Sequence, residues 1–484
     1  MPQDGFNGQK SMIIFKKRLV LILVVLLVVV TYFGYKNREY VQQLPIGSAF
    51  KAKTLCDSVF VSNRDRLTIE REDIGFSPSF KLFKAKIDPD DKSVTCSLLG
   101  LGLLKKKAVF VDQLGCILLS DVPEDVIRAW RPSIPRPESA NAESVPWPMG
   151  DLLPQCQPPA NIDMVKLSSV VDHVFFETNP QKKLYTRALL IIYDGRLIAE
   201  RYGPGITKDT PLLSWSMAKS ITNAIIGILR MQGKISLEEP VHISRWQEAG
   251  DQRQTITLEQ LLRMSSGLEW IEAYAERPVS DVSIMLFLKP DMAAFAAAKR
   301  LATKPGIVWN YSGGTTNLIC KLIRDRFGNR EAYWEFPRRE LFNKIGMHSA
   351  IWETDATGTF IGSSYLYATA RDYARFGMLY LNEGIWQGKR ILPKGWVDFS
   401  TTPAPAAPKG EFGAHFWLNK GTSSNPKDRM FPQLPSDAFF AMGYQGQTIA
   451  IIPSRKLVVV RLGMTYDDDW GTETFIKSIL EAIH

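Results

Sequence analysis

Apolar residues recur at helical spacing through Met217, Ile221, Ala224, Ile225, Ile228 and Met231, and Gly233 follows as a stop. The spacing predicts a helix that opens at Ser216. Short apolar runs broken by turn residues mark strands on either side. Ala188 to Tyr193, then Asp194-Gly195, then Arg196 to Arg201 predicts a β-hairpin. Thr448 to Ile452, a Pro453–Lys456 turn and Leu457 to Leu462 predict another, followed by a helix from about Thr472 to Ile483. Helical patterns and loops fill the interval from Ser216 to about Trp396. Strands at both ends with helices between predict an α+β fold. One antiparallel sheet is assembled from both ends of the domain beside a helical region, and a site is expected at their junction.

Upstream, Ser58–Val61, Val94–Leu99 and Ala108–Val111 are β-branched and aromatic, with turn residues between them. They predict a small β-rich accessory domain over 45–130. Eight prolines between 131 and 160 predict an extended linker, which leaves 161–484 as the main domain. At the other extreme, Leu19 to Tyr35 carries no charge. Lys16-Lys17-Arg18 precedes it, Lys36 and Arg38 follow, and Tyr32, Phe33 and Tyr35 close it. With no small-x-small cleavage site at Thr31–Lys36, the expectation is a cytoplasmic tail and uncleaved transmembrane anchor over 1–40. The body would then lie on the periplasmic side of a single-pass protein.

Charge sharpens that division. The net +9 is uneven, because residues 1–53 hold eight Lys/Arg against two acids, leaving only +3 on the rest of the chain. That is a weak case for nucleic acid, and none is expected as a partner. None of the five cysteines forms a CxxC pair, which argues against zinc-ribbon and thioredoxin readings. Cys56, Cys96, Cys116 and Cys156 suit one or two disulfides of open pairing, and buried reduced thiols are the alternative.

Candidate chemistry begins with Ser216 and Lys219, three apart at a helix start and therefore on one face. Ser48…Lys51 and Ser424…Lys427 share the spacing, but one precedes a polar connecting stretch and the other lies among Gly, Ser, Asn and Pro. Tyr311-Ser312-Gly313 leads into a second helical pattern, and Gly443-Tyr444-Gln445-Gly446-Gln447 precedes the penultimate strand. Of the five histidines, none lies in a GxSxG or HExxH setting, so a Ser-His-Asp triad or zinc site is not expected.

Taken in order, SxxK, YxG and GxxGQ make the stretch of roughly 165–484 resemble the serine β-lactamase and penicillin-binding-protein superfamily. The branch it resembles holds class C β-lactamases, family VIII-type esterases and 6-aminohexanoate-dimer (nylon oligomer) hydrolases. Leu261–Leu268 and Ala368–Gly377 add to the likeness. The resemblance implies Ser216 as acylated nucleophile, Lys219 as its base and Tyr311 as proton relay. The N–H groups of Ser216 and Gln447 would form the oxyanion hole, and Tyr274, Tyr444 and Gly446 would meet substrate. It implies a small-molecule ester, amide or peptide substrate and no cofactor or metal. A cell-wall D,D-peptidase, or a catalytically silent receptor or scaffold, is the alternative. This chain departs from the pattern at Gly313, where the motif often has Asn, and at Tyr444, where classical β-lactamases have Lys. Losing that cation disfavours substrates recognised by a carboxylate.

Overall fold

The computed structural model describes residues 38–135, 142–154, 157, 159–177, 179, 182–274, 277, 279–466 and 469–484. Helix α1 (Arg38–Cys56) lies on a four-stranded antiparallel sheet, β1 (Phe83–Asp88), β2 (Ser93–Leu98), β3 (Leu103–Val111) and β4 (Gly115–Leu118). Ile46, Ala49, Phe50, Ala52 and Leu55 bury one side of α1, and a Cys56–Cys116 disulfide ties its end to β4. Cys96 and Cys320 are buried free thiols. Ser58–Val61, expected as a strand, instead continues the helix as a wider turn over Asp57–Val61. Tertiary packing overrides its β-branched composition there, with Phe60 against Phe110 of β3.

The N-terminal anchor is a correction. Among the described residues no helix is long and apolar enough to cross a membrane. The run Leu19–Tyr35 lies outside the described residues, and the described helices supply no span that would support a single-pass placement. The 19-residue α1 carries Arg38, Glu39, Lys51 and Lys53, and it is spent on packing against protein.

The main body is built on six antiparallel strands in the order β7 (Trp417–Leu418), β8 (Phe439–Gly443), β9 (Gln447–Ile452), β10 (Leu457–Leu462), β5 (Ala188–Tyr193) and β6 (Arg196–Tyr202). The two ends of the domain join where β10 pairs with β5, from Leu457↔Tyr193 to Leu462↔Ala188. Asp194 and Gly195 both take positive φ, 46° and 77°, as a two-residue hairpin turn requires. Alternate residues serve two cores. Leu190, Ile192, Val458 and Val460 face helix α5 (Ala370–Leu381), while Leu189, Ile191, Leu457 and Val459 face α2 (Met164–His173) and α6 (Thr472–Leu480). Gly377 lets α5 settle on the sheet, since a Cβ there would stand 2.6 Å from Val458. The expected α+β arrangement, strands from both ends beside a helical region, is present.

The amino-terminal unit and the body share one continuous core. Phe50 of α1 packs against Phe287 with ring centroids 5.5 Å apart. Between the units, Lys53 pairs with Asp57 at 2.7 Å and with Glu353, which also accepts the Cys116 N–H at 2.7 Å. One buried ammonium thus serves two buried carboxylates. Burial raises the pKa of both, and for Glu353 the neighbouring Asp57 adds to the rise. The proline-rich stretch is pinned where described: Arg375 donates to the carbonyls of Pro148 (2.6 Å) and Gly150 (2.7 Å) and pairs with Asp151 at 2.8 Å.

Candidate active site

Helix α3 (Met217–Met231) runs through the centre of the body, and every residue from Met217 to Leu229 is buried. Lys234 N–H donates to the Leu229 carbonyl at 2.9 Å across Gly233, whose φ of +67° ends the helix. At the other end, Trp215 holds φ at 44°, a strained value for a bulky residue. Ser214 over-determines it, donating its N–H to Leu366 O at 2.8 Å and its hydroxyl to Trp215 O at 2.9 Å. The Trp215 indole N–H donates to Gln445 Oε1 at 2.9 Å. Ser216 follows as N-cap, and its side chain caps nothing.

The Ser216 hydroxyl meets Lys219 instead. Lys219, 1% exposed, donates from Nζ to Ser216 Oγ at 2.9 Å and to Ser363 O at 3.0 Å. A third side of the same ammonium faces Glu272, with Oε1 at 3.7 Å. The Tyr311 ring lies beneath, its centroid 4.7 Å from Nζ. Trp309, Phe412 and Trp417 fix that ring at centroid separations of 6.3, 5.8 and 5.3 Å. Ser312 caps helix α4 (Gly313–Arg324) by accepting the Thr315 N–H at 3.1 Å.

Behind Lys219 stands His415, fully buried. Its Nδ1 is 2.9 Å from the Lys219 carbonyl, which can only accept, so Nδ1 carries the proton and Nε2 accepts from Thr316 Oγ1 at 3.3 Å. Burial, with the Lys219 charge adding to it, lowers its pKa to about 3. His415 is therefore a neutral strut.

The opposite wall is the β8–β9 turn. A Cβ on Gly443 would stand 2.3 Å from Ser214 O and 3.0 Å from Ser216 N, so only glycine lets β8 reach the Ser216 backbone. Tyr444 stacks on Tyr274 at 4.5 Å, and both meet the Trp215 ring at steep angles, 5.4 and 5.9 Å away. The Tyr274 hydroxyl is buried and has no hydrogen-bond partner among the described residues. Gly446, φ 78°, packs against the Arg461 guanidinium and Trp470. Gln447 faces Gly443 in the ladder, and its amide bridges Gly463 O at 2.6 Å and Tyr444 O at 3.2 Å.

The structure thus gathers Ser216, Lys219, Tyr311, Tyr274 and Tyr444, and gives the Gly446 and Gln447 side-chain positions structural partners. Ser48 and Lys51 differ from the expectation of a polar connecting stretch: both are buried in α1. They point to different acceptors, however, Cys96 O and Phe80 O. Glu272, His415 and Trp215 were not singled out from sequence, whereas Gly443 opens the GxxGQ motif. Of the three, only Trp215, adjoining the SxxK motif, carried a local signal. Asp281 is taken by Lys299 and the Ile271 N–H. Among the described residues no His, Cys, Asp and Glu group is arranged to hold a metal ion.

Residues 171–468 match the family model described as Beta-lactamase. The chain is 24% identical over 310 residues to the 6-aminohexanoate-dimer hydrolase of Paenarthrobacter ureafaciens, covering 59% of this chain and 74% of that protein. In fold it is similar to EstCE1, a hydrolase with promiscuous acyltransferase activity (TM-score 0.52, 15% identity, 66% of this chain and 99% of that one). It is also similar to a class C beta-lactamase (TM-score 0.51, 16% identity, 68% of this chain and 99% of that one).

Proposed function

The chain belongs to the beta-lactamase family, as a serine hydrolase, and from that premise we propose that it cleaves a small-molecule ester or amide through an acyl-enzyme on Ser216. The observation that carries this is the 2.9 Å contact between Ser216 Oγ and the buried Nζ of Lys219, at the start of a helix. In its neutral form Lys219 takes the hydroxyl proton as Oγ bonds to the substrate carbonyl carbon. The carbonyl electron pair moves to oxygen. The Ser216 N–H, at the positive end of α3, and an N–H of the Gly443–Gln447 turn receive that oxyanion.

Collapse of the tetrahedral adduct expels the alcohol or amine, which leaves with a proton returned through Lys219 or Tyr311. Water then repeats the sequence on the acyl-serine and releases the acid. Tyr274 and Tyr444 wall the entrance with aromatic surface, and the orphan Tyr274 hydroxyl offers one hydrogen bond to the substrate's amide or ester group. Tyr444 stands where a D,D-peptidase or classical β-lactamase would present a lysine to a carboxylate. Neutral esters and amides are therefore favoured over peptides ending in a carboxylate.

The test is intact-mass detection of a fluorophosphonate adduct, with turnover of ester and amide panels, on wild type, Ser216→Ala, Lys219→Arg and Tyr311→Phe. Ser216→Ala loses the adduct and Lys219→Arg nearly so, because guanidinium stays protonated. Tyr311→Phe slows turnover roughly 10²–10⁴-fold. An adduct on Ser216→Ala would remove Ser216 from the chemistry.

A further inference from the structure

Glu272 reaches the site from a loop 41 residues away from Gly313 in sequence. Its Oε2 accepts the Gly313 N–H at 2.7 Å and the Trp270 indole N–H at 2.5 Å. Its Oε1, buried, has no hydrogen-bond partner among the described residues and stands 3.7 Å from Lys219 Nζ. A carboxylate is not placed in such a setting at no cost, and the basic group it faces is Lys219.

The position of Gly313 explains the room. A Cβ there would lie 3.1 and 3.2 Å from the two Glu272 oxygens. Any side chain at 313, including the Asn that the related motif often carries, would compete with the carboxylate for the same space. At this helix start position 313 carries no side chain, and a carboxylate from a different loop occupies the space beside the lysine.

We propose that Glu272 is a positioning residue for Lys219, the third member of a Ser216–Lys219–Glu272 series that stands in for the missing Asn. The proposal rests on the acyl-enzyme reading of Ser216. Three groups surround Nζ: Ser216 Oγ, Ser363 O and Glu272. When Lys219 takes the serine proton, the charge created on Nζ forms facing an opposite charge already in place. That is the logic by which a carboxylate orients and balances a base in other nucleophilic series. Glu272 touches neither the acyl group nor the leaving group, and no proton moves to it. His415, Tyr311 and Tyr274 are the other titratable groups around this pair, and none supplies a second carboxylate.

Glu272→Gln retains one oxygen for the Gly313 and Trp270 donors but turns an NH₂ toward an ammonium. Full-length enzyme carrying it is expected to lose roughly 10- to 1000-fold in kcat, with KM within about twofold and the unfolding midpoint unchanged. Glu272→Ala is expected to lose as much. Gly313→Asn combined with Glu272→Ala should recover at least about tenfold over Glu272→Ala alone, because the Asn oxygen then faces Lys219. Wild-type kcat in Glu272→Gln, or a folded double variant with no recovery, would overturn the assignment. Ser216→Ala run beside them separates the two claims: turnover surviving there defeats the acyl-enzyme reading itself, whatever Glu272 does.

Discussion

His415 gives a prediction whose sign and size both follow from its surroundings. Its ring is 3% exposed, bonded at both nitrogens, and its pKa falls from 6.5 to about 3. In the unfolded chain it protonates as the pH drops through about 6.5. In the folded chain it resists, because the charged form would be buried beside Lys219 and would turn a second donor toward Thr316. A depressed folded pKa means that its contribution is fully present above pH 6.5 and is lost as the pH falls toward 3. About 3.5 pH units at 1.36 kcal/mol each sets the total loss near 5 kcal/mol, an order-of-magnitude figure. Asp57 and Glu353 work the other way, since raised carboxylates favour the fold as the pH falls, so a raw acid titration would mix the effects. The comparison to make is wild type against His415→Gln, whose amide can still donate to the Lys219 carbonyl and accept from Thr316. Urea unfolding at half-unit intervals from pH 7.5 to 3.5 should show the wild type losing stability relative to the variant, with most of the loss inside that window. Two parallel curves would mean that His415 titrates normally, and the neutral-strut argument would fall.

Two further outcomes follow from geometry already described. Gly443→Ala puts a methyl group 2.3 Å from Ser214 O and 3.0 Å from Ser216 N. Retreat of the turn by about 1 Å should cost roughly 10²-fold in turnover, and retained wild-type turnover would show the wall to be compliant. Replacing both Cys56 and Cys116 by Ser opens a loop of 60 residues and should remove about 4 kcal/mol by chain entropy, read as a lower denaturation midpoint that reductant reproduces in the wild type. No change in either would show the amino-terminal unit to be held by its packing alone.

The parts that were legible in sequence are those whose signal is local. The Asp194-Gly195 turn, the apolar strands around it and the Ser216 helix with its Gly233 stop all announce themselves within a dozen residues. Helix α1 does not. Pro45 and Gly47 interrupt its pattern, its apolar residues make no clean stripe, and it is held by a sheet that follows it in sequence. The terminal apolar run suggested a membrane, yet the long helix after it is engaged with protein. At the site, the SxxK, YxG and glycine-rich motifs marked where to look. Glu272 and His415 carry no local mark at all: one is a single acid in a loop, the other a histidine 196 residues from the carbonyl it meets. Only the fold makes them neighbours. Gly313 was the nearest thing to a clue, because a missing side chain beside a buried lysine calls for a replacement without saying where from.

The Lys53–Asp57–Glu353 node also sets a timetable. Lys53 and Asp57 are four residues apart and can meet within one helical turn as the chain emerges, whereas Glu353 is made 300 residues after Lys53. At about 5–20 residues per second, a ribosome delivers it roughly 15 to 60 s later. Through that interval the amino-terminal unit has its own disulfide to form but lacks the carboxylate that fills the gap above Gly115 and receives the Cys116 N–H. A unit translated well before the body is thus among the last to be completed. A chain stalled before residue 353 presents an open, charged face for the whole of the delay.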